Sequence, residues 1–468
     1  MQAYVREVAS RHGLSVVEDA ARNLIVKRPA SESVSATPVI VQTHLDMVCE
    51  KNSDSAHDWS SDPINTTLRD GWVVADETTL GSDNGIGVAM ALALMDSASH
   101  AVLPPLEFVF TVEEETGLYG AEGLETSALE GRQLLNFDSE EFGIIYIGCA
   151  GGGDATVNLP VESAPLRKER LPFQLELKGL QGGHSGADIH EGRGNALLLL
   201  ARAIAQLQRE MPNVRLLHLE GGNKDNAIPR ESLAILGLEL ADVALVQAHV
   251  SEIQVTLKKE FGRIDPGLSL SIGNKPLEHM SSSPLNKRSA QRLLDLILTL
   301  PYGPIKMSHE VAGLVETSNN VAKVIRASDD IVQVFCFPRS SIDTALEAAQ
   351  DSIARVARLC GGEAVRTFTF PGWAPNASQA LLGLAVDEFT DMLSTKPEVA
   401  AIHAGLECGI IGAKIPGIEM ISFGPDIKGA HAPGERVRVE SVEKTWQMAQ
   451  RILMRLAVSE QQRSQQEL

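Results

Sequence analysis

Cysteine is sparse in this chain and positive charge is in deficit, and each scarcity narrows what the protein can be. The five cysteines among 468 residues (Cys49, Cys149, Cys336, Cys360 and Cys408) are odd in number and scattered, with no CxxC spacing. That excludes a disulfide framework and a thiolate zinc site. Lys and Arg number 41 against 61 Asp and Glu, a formal net charge of −20. A field of that sign repels phosphate backbones and anionic bilayers, so no nucleic acid and no membrane surface is expected as a partner. No apolar run approaches the ~20 residues needed to span a bilayer. The opening MQAYVREVASRHG is polar and amphipathic and lacks the apolar core of a signal peptide. A cytoplasmic location is the expectation.

What is present is ordinary globular material, 44% apolar and 22% charged, with enough residues for more than one core. The first third alternates strand-like runs (NLIVKRP, PVIVQTH, LEFVFTV, QLLNFD) with an apolar-faced helix beginning near Gly85, a pattern that predicts an α/β layer with a largely parallel sheet. From about Ala150 the texture becomes Gly- and Pro-rich, in AGGGDATVNLPVESAPLRKERLP. Near Phe370 a second break, FPGWAPNAS, returns the chain to helical ALLGLAVDEFTDML and strand-like IEMISFG. Between the breaks, strand–turn–helix recurs near both ends, at PFQLELKGL with NALLLLARAIAQLQREM and at IVQVFCFPRS with IDTALEAAQDSIARVARLCGGE, which suggests two related halves. The expected organisation is an α/β domain over 1–152 and 371–468, interrupted by an inserted α+β domain over 153–370.

The strand ends carry the chemistry. PVIVQT runs into His44-Leu45-Asp46, LEFVFTV into Glu113-Glu114-Glu115, QLLNF into Asp138, and IEMISFG into a loop holding His431. Ligands bind at the carboxyl ends of strands in open α/β sheets. Asp83, in GSDNGIG before a helix, can reach the same edge. Singly, each has a plainer explanation: EEE as a solvated turn, Asp-Asn-Gly as a turn opening a helix, His431 as a loop histidine. Together they form the imidazole and carboxylate mix that zinc prefers. A pair of divalent ions roughly 3.5–4 Å apart needs a bridging carboxylate, a free carboxylate as general base, and a group that orients a histidine ligand. The residue types present can fill all of these roles.

The motifs THLDMV, GSDNGIG, EETGLYGA, NFDSEE with IGCAGG, GLQGGHSG, HAGLECG and GPDIKGAHAP, in this order, resemble the Xaa-His dipeptidase family, a branch of the two-zinc metallopeptidases related to carnosinases and glutamate carboxypeptidases. The resemblance covers nearly the whole chain. It implies two Zn2+ per subunit, with Co2+ or Mn2+ as substitutes, and dipeptides as substrates. His44 and Asp138 would bind one ion, Glu115 and His431 the other, and Asp83 would bridge both. Asp46 would lie behind the site and Glu114 would be the general base. The family has two adjacent glutamates where this chain has three; aligning on Thr116-Gly117 leaves Glu113 a bystander, and a slip of one residue would reassign both roles. The resemblance also implies a cis peptide after the bridging aspartate, between Asp83 and Asn84. Family members usually begin with a further stretch ahead of the helix that opens this sequence, so that helix is expected to pack less firmly on the sheet edge.

In the insert, QGGHSGADIHEGRGNA lacks the GK[ST] ending of a phosphate loop. The resemblance instead makes His184 an oxyanion-stabilising residue that reaches the partner subunit's site, which implies a homodimer joined through a lid-like insert. It makes Asn226, Arg339 and the backbone at Gly405 substrate contacts. A guanidinium fork matches a free C-terminal carboxylate. For Asn226 a simple turn asparagine is an equal alternative. The rival enzyme is a two-zinc deacylase of N-acyl amino acids, which Arg339 would suit as well; the rival outside catalysis is an inert protein that kept the fold.

Overall fold

The computed structural model describes residues 1–32, 34–96, 102–280 and 282–466. The chain divides into two compact units, Met1–Cys149 with Trp373–Leu468, and Ala150–Gly372.

The first unit is built on an eight-stranded sheet. At its centre Leu106–Thr111, Val39–His44, Gln133–Asn136 and Glu419–Ser422 run parallel to one another in that spatial order. Every residue of Val39–His44 and Leu106–Thr111 is buried, as continuous apolar strands covered on both faces must be. The flanks are mixed. Leu24–Arg28 joins Leu106–Thr111 antiparallel, and Ile144–Cys149 meets Glu419–Ser422 antiparallel while pairing in parallel with Glu398–Ile402. The strands that end in candidate ligands are thus parallel to one another, and a further parallel pair lies at the sheet's edge. Helices Ser82–Met95, Ala380–Leu393 and Val439–Gln466 contribute Val88, Leu94, Leu381, Phe389, Met448 and Ile452 to the core. The opening helix, Gln2–Arg11, buries Val5, Val8 and Ala9 in the same core. Two glycines are forced on the ligand segment. Gly81 has φ +70°, and a Cβ on Gly87 would lie 2.1 Å from Asn84 Oδ1 and 2.9 Å from the Phe137 carbonyl.

The second unit is an eleven-stranded antiparallel sheet with helices packed on it. Both expected strand–helix pairs occur, Arg170–Lys178 with Ala196–Glu210 and Ile331–Ser340 with Asp343–Leu359. They share one continuous sheet. Asn195 caps its helix by accepting the N–H groups of Leu197 and Leu198. Among the described residues no helix is long and apolar enough to cross a membrane.

Candidate active site

His44, the last residue of its strand, is 1% exposed. Its Nε2 lies 3.1 Å from Asp83 Oδ1 and 3.1 Å from Asp138 Oδ1. Its Nδ1 sits 3.1 Å from the Asp46 carbonyl oxygen, so with the proton on Nδ1 the Nε2 lone pair faces the two carboxylates. A second triad shares the same aspartate: His431 Nε2 is 3.2 Å from Asp83 Oδ2 and 3.1 Å from Glu115 Oε2. Asp83 thus gives one oxygen to each triad. The Asp83–Asn84 peptide is cis, as the resemblance implied. Asn84 Nδ2 donates to Asp138 Oδ1 at 2.6 Å and to the Phe137 carbonyl at 2.7 Å.

Asp46 works from behind. Its two carboxylate oxygens accept the backbone N–H groups of Glu114 and Glu115, each at 3.1 Å. The loop carrying both glutamates is therefore fixed by the residue two positions beyond His44. Of the three consecutive glutamates, Glu113 is exposed with a left-handed backbone (φ +55°), Glu115 joins the second triad, and Glu114 lies outside both triads.

The electrostatics are those of crowded carboxylates. Burial, with Asp138 close by, pushes the Glu114 carboxyl well above its ordinary value. Burial raises Asp138 to about 6 despite His44. For Asp83 burial pulls upward, but His431 and His44 outweigh it and hold the carboxyl low. Asp83 and Glu115 raise His431 to about 11. Burial alone would lower His44, yet Asp138, Asp46 and Asp83 together raise it well above its ordinary value.

The residues fit a divalent metal. Ligand atoms of His44, Asp83 and Glu115 all lie within 4.8 Å of one another. Glu115 Oε1 is buried with no hydrogen-bond partner among the described residues, a lone-pair donor suited to a cation. Imidazole and carboxylate donors on neighbouring strand ends are the ligand set of zinc hydrolases.

Three glutamates near this centre escaped sequence reasoning. Glu407 is fully buried, accepts Gln42 Nε2 at 2.5 Å and the Thr111 hydroxyl at 2.7 Å, and is raised to about 7 by burial. It lies inside HAGLECG, two residues beyond Gly405, which occupies the turn between Glu398–Ile402 and Glu407–Lys414. Glu140 is raised to about 7 by burial and by Asp83. Glu435, four residues beyond His431, is 2% exposed.

In the second unit His184 and Arg339 come together. His184 Nδ1 accepts the N–H groups of Gly186 at 3.2 Å and Ala187 at 2.9 Å. Burial, with Arg339 beside it, lowers the imidazole to about 4. A neutral ring whose Nδ1 is an acceptor carries its proton on Nε2. That Nε2 lies 3.3 Å from Arg339 Nη2, a group that can only donate, so imidazole and guanidinium sit side by side. Burial lowers Arg339 to about 10, and its guanidinium lies over the Phe337 ring at 4.8 Å. Asn226 is exposed; its backbone carbonyl accepts the Ser185 N–H at 2.8 Å, beside His184.

A parallel-sheet edge bearing two imidazole–carboxylate triads on a shared aspartate is the equipment of a metal-dependent hydrolase. Residues 40–455 match the family model described as peptidase family M20/M25/M40, and the chain belongs to that family. It is similar to the cytosol non-specific dipeptidase of Escherichia coli, at 37% identity over 96% of this chain and 92% of that one. A solved structure, aminoacylhistidine dipeptidase from Vibrio alginolyticus, matches at 36% identity and TM-score 0.84, covering 97% of this chain and 91% of that chain. A tripeptidase from Staphylococcus aureus, at 16% identity and TM-score 0.58 over 97% of this chain and 92% of that one, shares the fold.

Proposed function

We propose that this chain is a two-zinc dipeptidase that cleaves Xaa-His dipeptides, carnosine-like ones among them, and some other dipeptides, as a cytoplasmic homodimer joined through its inserted unit. The observation that carries the reading is Asp83, with one oxygen 3.1 Å from His44 and the other 3.2 Å from His431. The E. coli and Vibrio relatives, named as dipeptidases and similar over nearly the whole length, support the substrate class.

His44 with Asp138, and His431 with Glu115, would hold one ion each, and Asp83 would bridge them. Bound there, zinc supplies Lewis acidity and lowers the pKa of water toward neutrality; Co2+ or Mn2+ would serve similarly. Glu114 holds and moves the proton, because it is half-buried, lies outside both triads, and has its carboxyl pushed well above its ordinary value by burial and by Asp138. Asp46 keeps Glu114 and Glu115 apart in role by fixing their backbone. Nε2–H of His184 and the Arg339 guanidinium are two donors for anionic oxygen, the developing oxyanion and the C-terminal carboxylate. His184 serves the site of its partner subunit. Asn226 and the backbone at Gly405 line the substrate.

The test is a hydrolysis panel on the zinc-loaded chain: Xaa-His dipeptides, dipeptides without histidine, and N-acetyl amino acids. Cleavage of dipeptides with N-acetyl amino acids untouched is expected. Preference for the N-acetyl substrates would replace the dipeptidase reading with a deacylase.

A further inference from the structure

We propose that Glu435 is a positioning residue that locks the segment leading into Asp83 to the loop bearing His431, and so sets the geometry of the bridging ligand. The proposal rests on the metal-site reading above.

The Glu435 carboxylate is buried in a cradle of donors. Oε2 accepts the backbone N–H of Leu80 at 2.7 Å and of Gly81 at 3.1 Å; Oε1 accepts the N–H of Ser82 at 2.8 Å and also the Ser82 hydroxyl. Consecutive N–H groups converging on one anion form a nest, and they fix the peptide planes on which they lie. The next residue is Asp83. Gly81 permits the required turn with φ +70°, and a Cβ there would lie 2.6 Å from Met47 Sδ.

Glu435 is itself held at both ends. Its N–H donates to the Ala432 carbonyl at 3.2 Å, and its carbonyl accepts the Ala75 N–H at 3.0 Å. Gly434 N–H donates to the Thr78 carbonyl at 3.0 Å, and Arg436–Arg438 pairs antiparallel with Trp72–Ala75. One side chain thus ties the approach to Asp83 to the loop that places His431. A buried carboxylate is tolerated when its lone pairs are met by donors, and here both oxygens are doubly met. Glutamine does not fill the role. Turned either way, its NH2 group faces at least one backbone N–H that then lacks an acceptor.

Full-length Glu435→Ala, Glu435→Gln, Ser82→Ala and His44→Ala would be stripped of metal and titrated with Zn2+ against a chromophoric chelator. Co2+ absorption spectra and thermal melts with and without zinc would accompany the titration. Loss of orienting partners behind ligands weakens metal binding on the order of 10- to 100-fold. That loss is expected for both Glu435 variants, with altered Co2+ bands and a smaller zinc-induced rise in Tm; Ser82→Ala should lose only a few-fold. Unaltered zinc affinity and Co2+ bands, with melting lowered equally with and without zinc, would mark a merely structural residue and overturn the proposal. Should neither Glu435 variant fold, Ser82→Ala decides, and unchanged affinity there refutes it. If His44→Ala binds zinc normally, the metal-site reading fails and this proposal with it. If His44→Ala loses zinc while both Glu435 variants keep it, only the role of Glu435 falls.

Discussion

Lowering the pH should destabilise the second unit through His184, and the effect can be worked out from its surroundings. The imidazole is half-buried, faces Arg339, and has Nδ1 engaged by two backbone N–H groups, so burial and the guanidinium bring it from 6.5 to about 4. Between those values the unfolded chain takes up a proton that the folded one refuses. Stability from this group is therefore complete above about 6.5 and is lost as the pH falls toward 4. Below 4 nothing further is lost. The gap corresponds to about 3 kcal/mol at most, reduced by the solvent that still reaches the ring. Asn at this position keeps an acceptor for Gly186 and Ala187 and does not titrate. The stability difference between the unaltered protein and His184→Asn, from urea unfolding of the zinc-free chain, should shrink across pH 7 to 4. Nitrogen NMR of the histidines should show a ring with a bare Nδ1 and a protonated Nε2, titrating near 4. A midpoint near 6.5, or a proton on Nδ1, would refute the assignment of His184 as a neutral Nε2–H donor.

Glu114→Ala should leave metal content unchanged and lower turnover at least about 100-fold, whereas Glu115→Ala should lose metal; the reverse pattern by elemental analysis would mean the register across the three glutamates is wrong. Mixing Glu114→Ala with His184→Ala should restore activity through hybrid dimers with one intact site, and no rescue despite demonstrated subunit exchange would remove the trans role of His184. Gly87→Ala should destabilise by about 1–3 kcal/mol and loosen metal binding, because its Cβ drives into Asn84, which holds Asp138; an unchanged Tm and zinc affinity would contradict that packing.

How much of this was legible in the sequence depended on where each residue's partners lie. His44 and Asp138 could be placed because each follows an apolar run whose burial defines a central strand, and a strand end fixes position without knowledge of any contact. The mixed flanks could not be read in the same way. Leu24–Arg28 has the composition of a strand, but its antiparallel pairing with Leu106–Thr111 depends on how the chain arrives there. Glu435 shows the sharper limit. Apart from the Ser82 hydroxyl, its donors are backbone groups of residues 80–82, more than 350 positions away, and backbone N–H groups leave no mark in the amino-acid alphabet. In HAPGERV it is one acid among the charges of a polar loop; only Gly81 hints at the turn that meets it. Glu407 is different in kind. It stands inside HAGLECG, and a carboxylate opening a helix directly after a strand is the expected acid of a first turn, which normally faces solvent. Its full burial against Gln42 and Thr111 follows from the sheet packed over it. The candidate ligands are therefore drawn from residue types that announce themselves, while Glu407 and Glu435 are common acids set apart by partners from elsewhere in the fold.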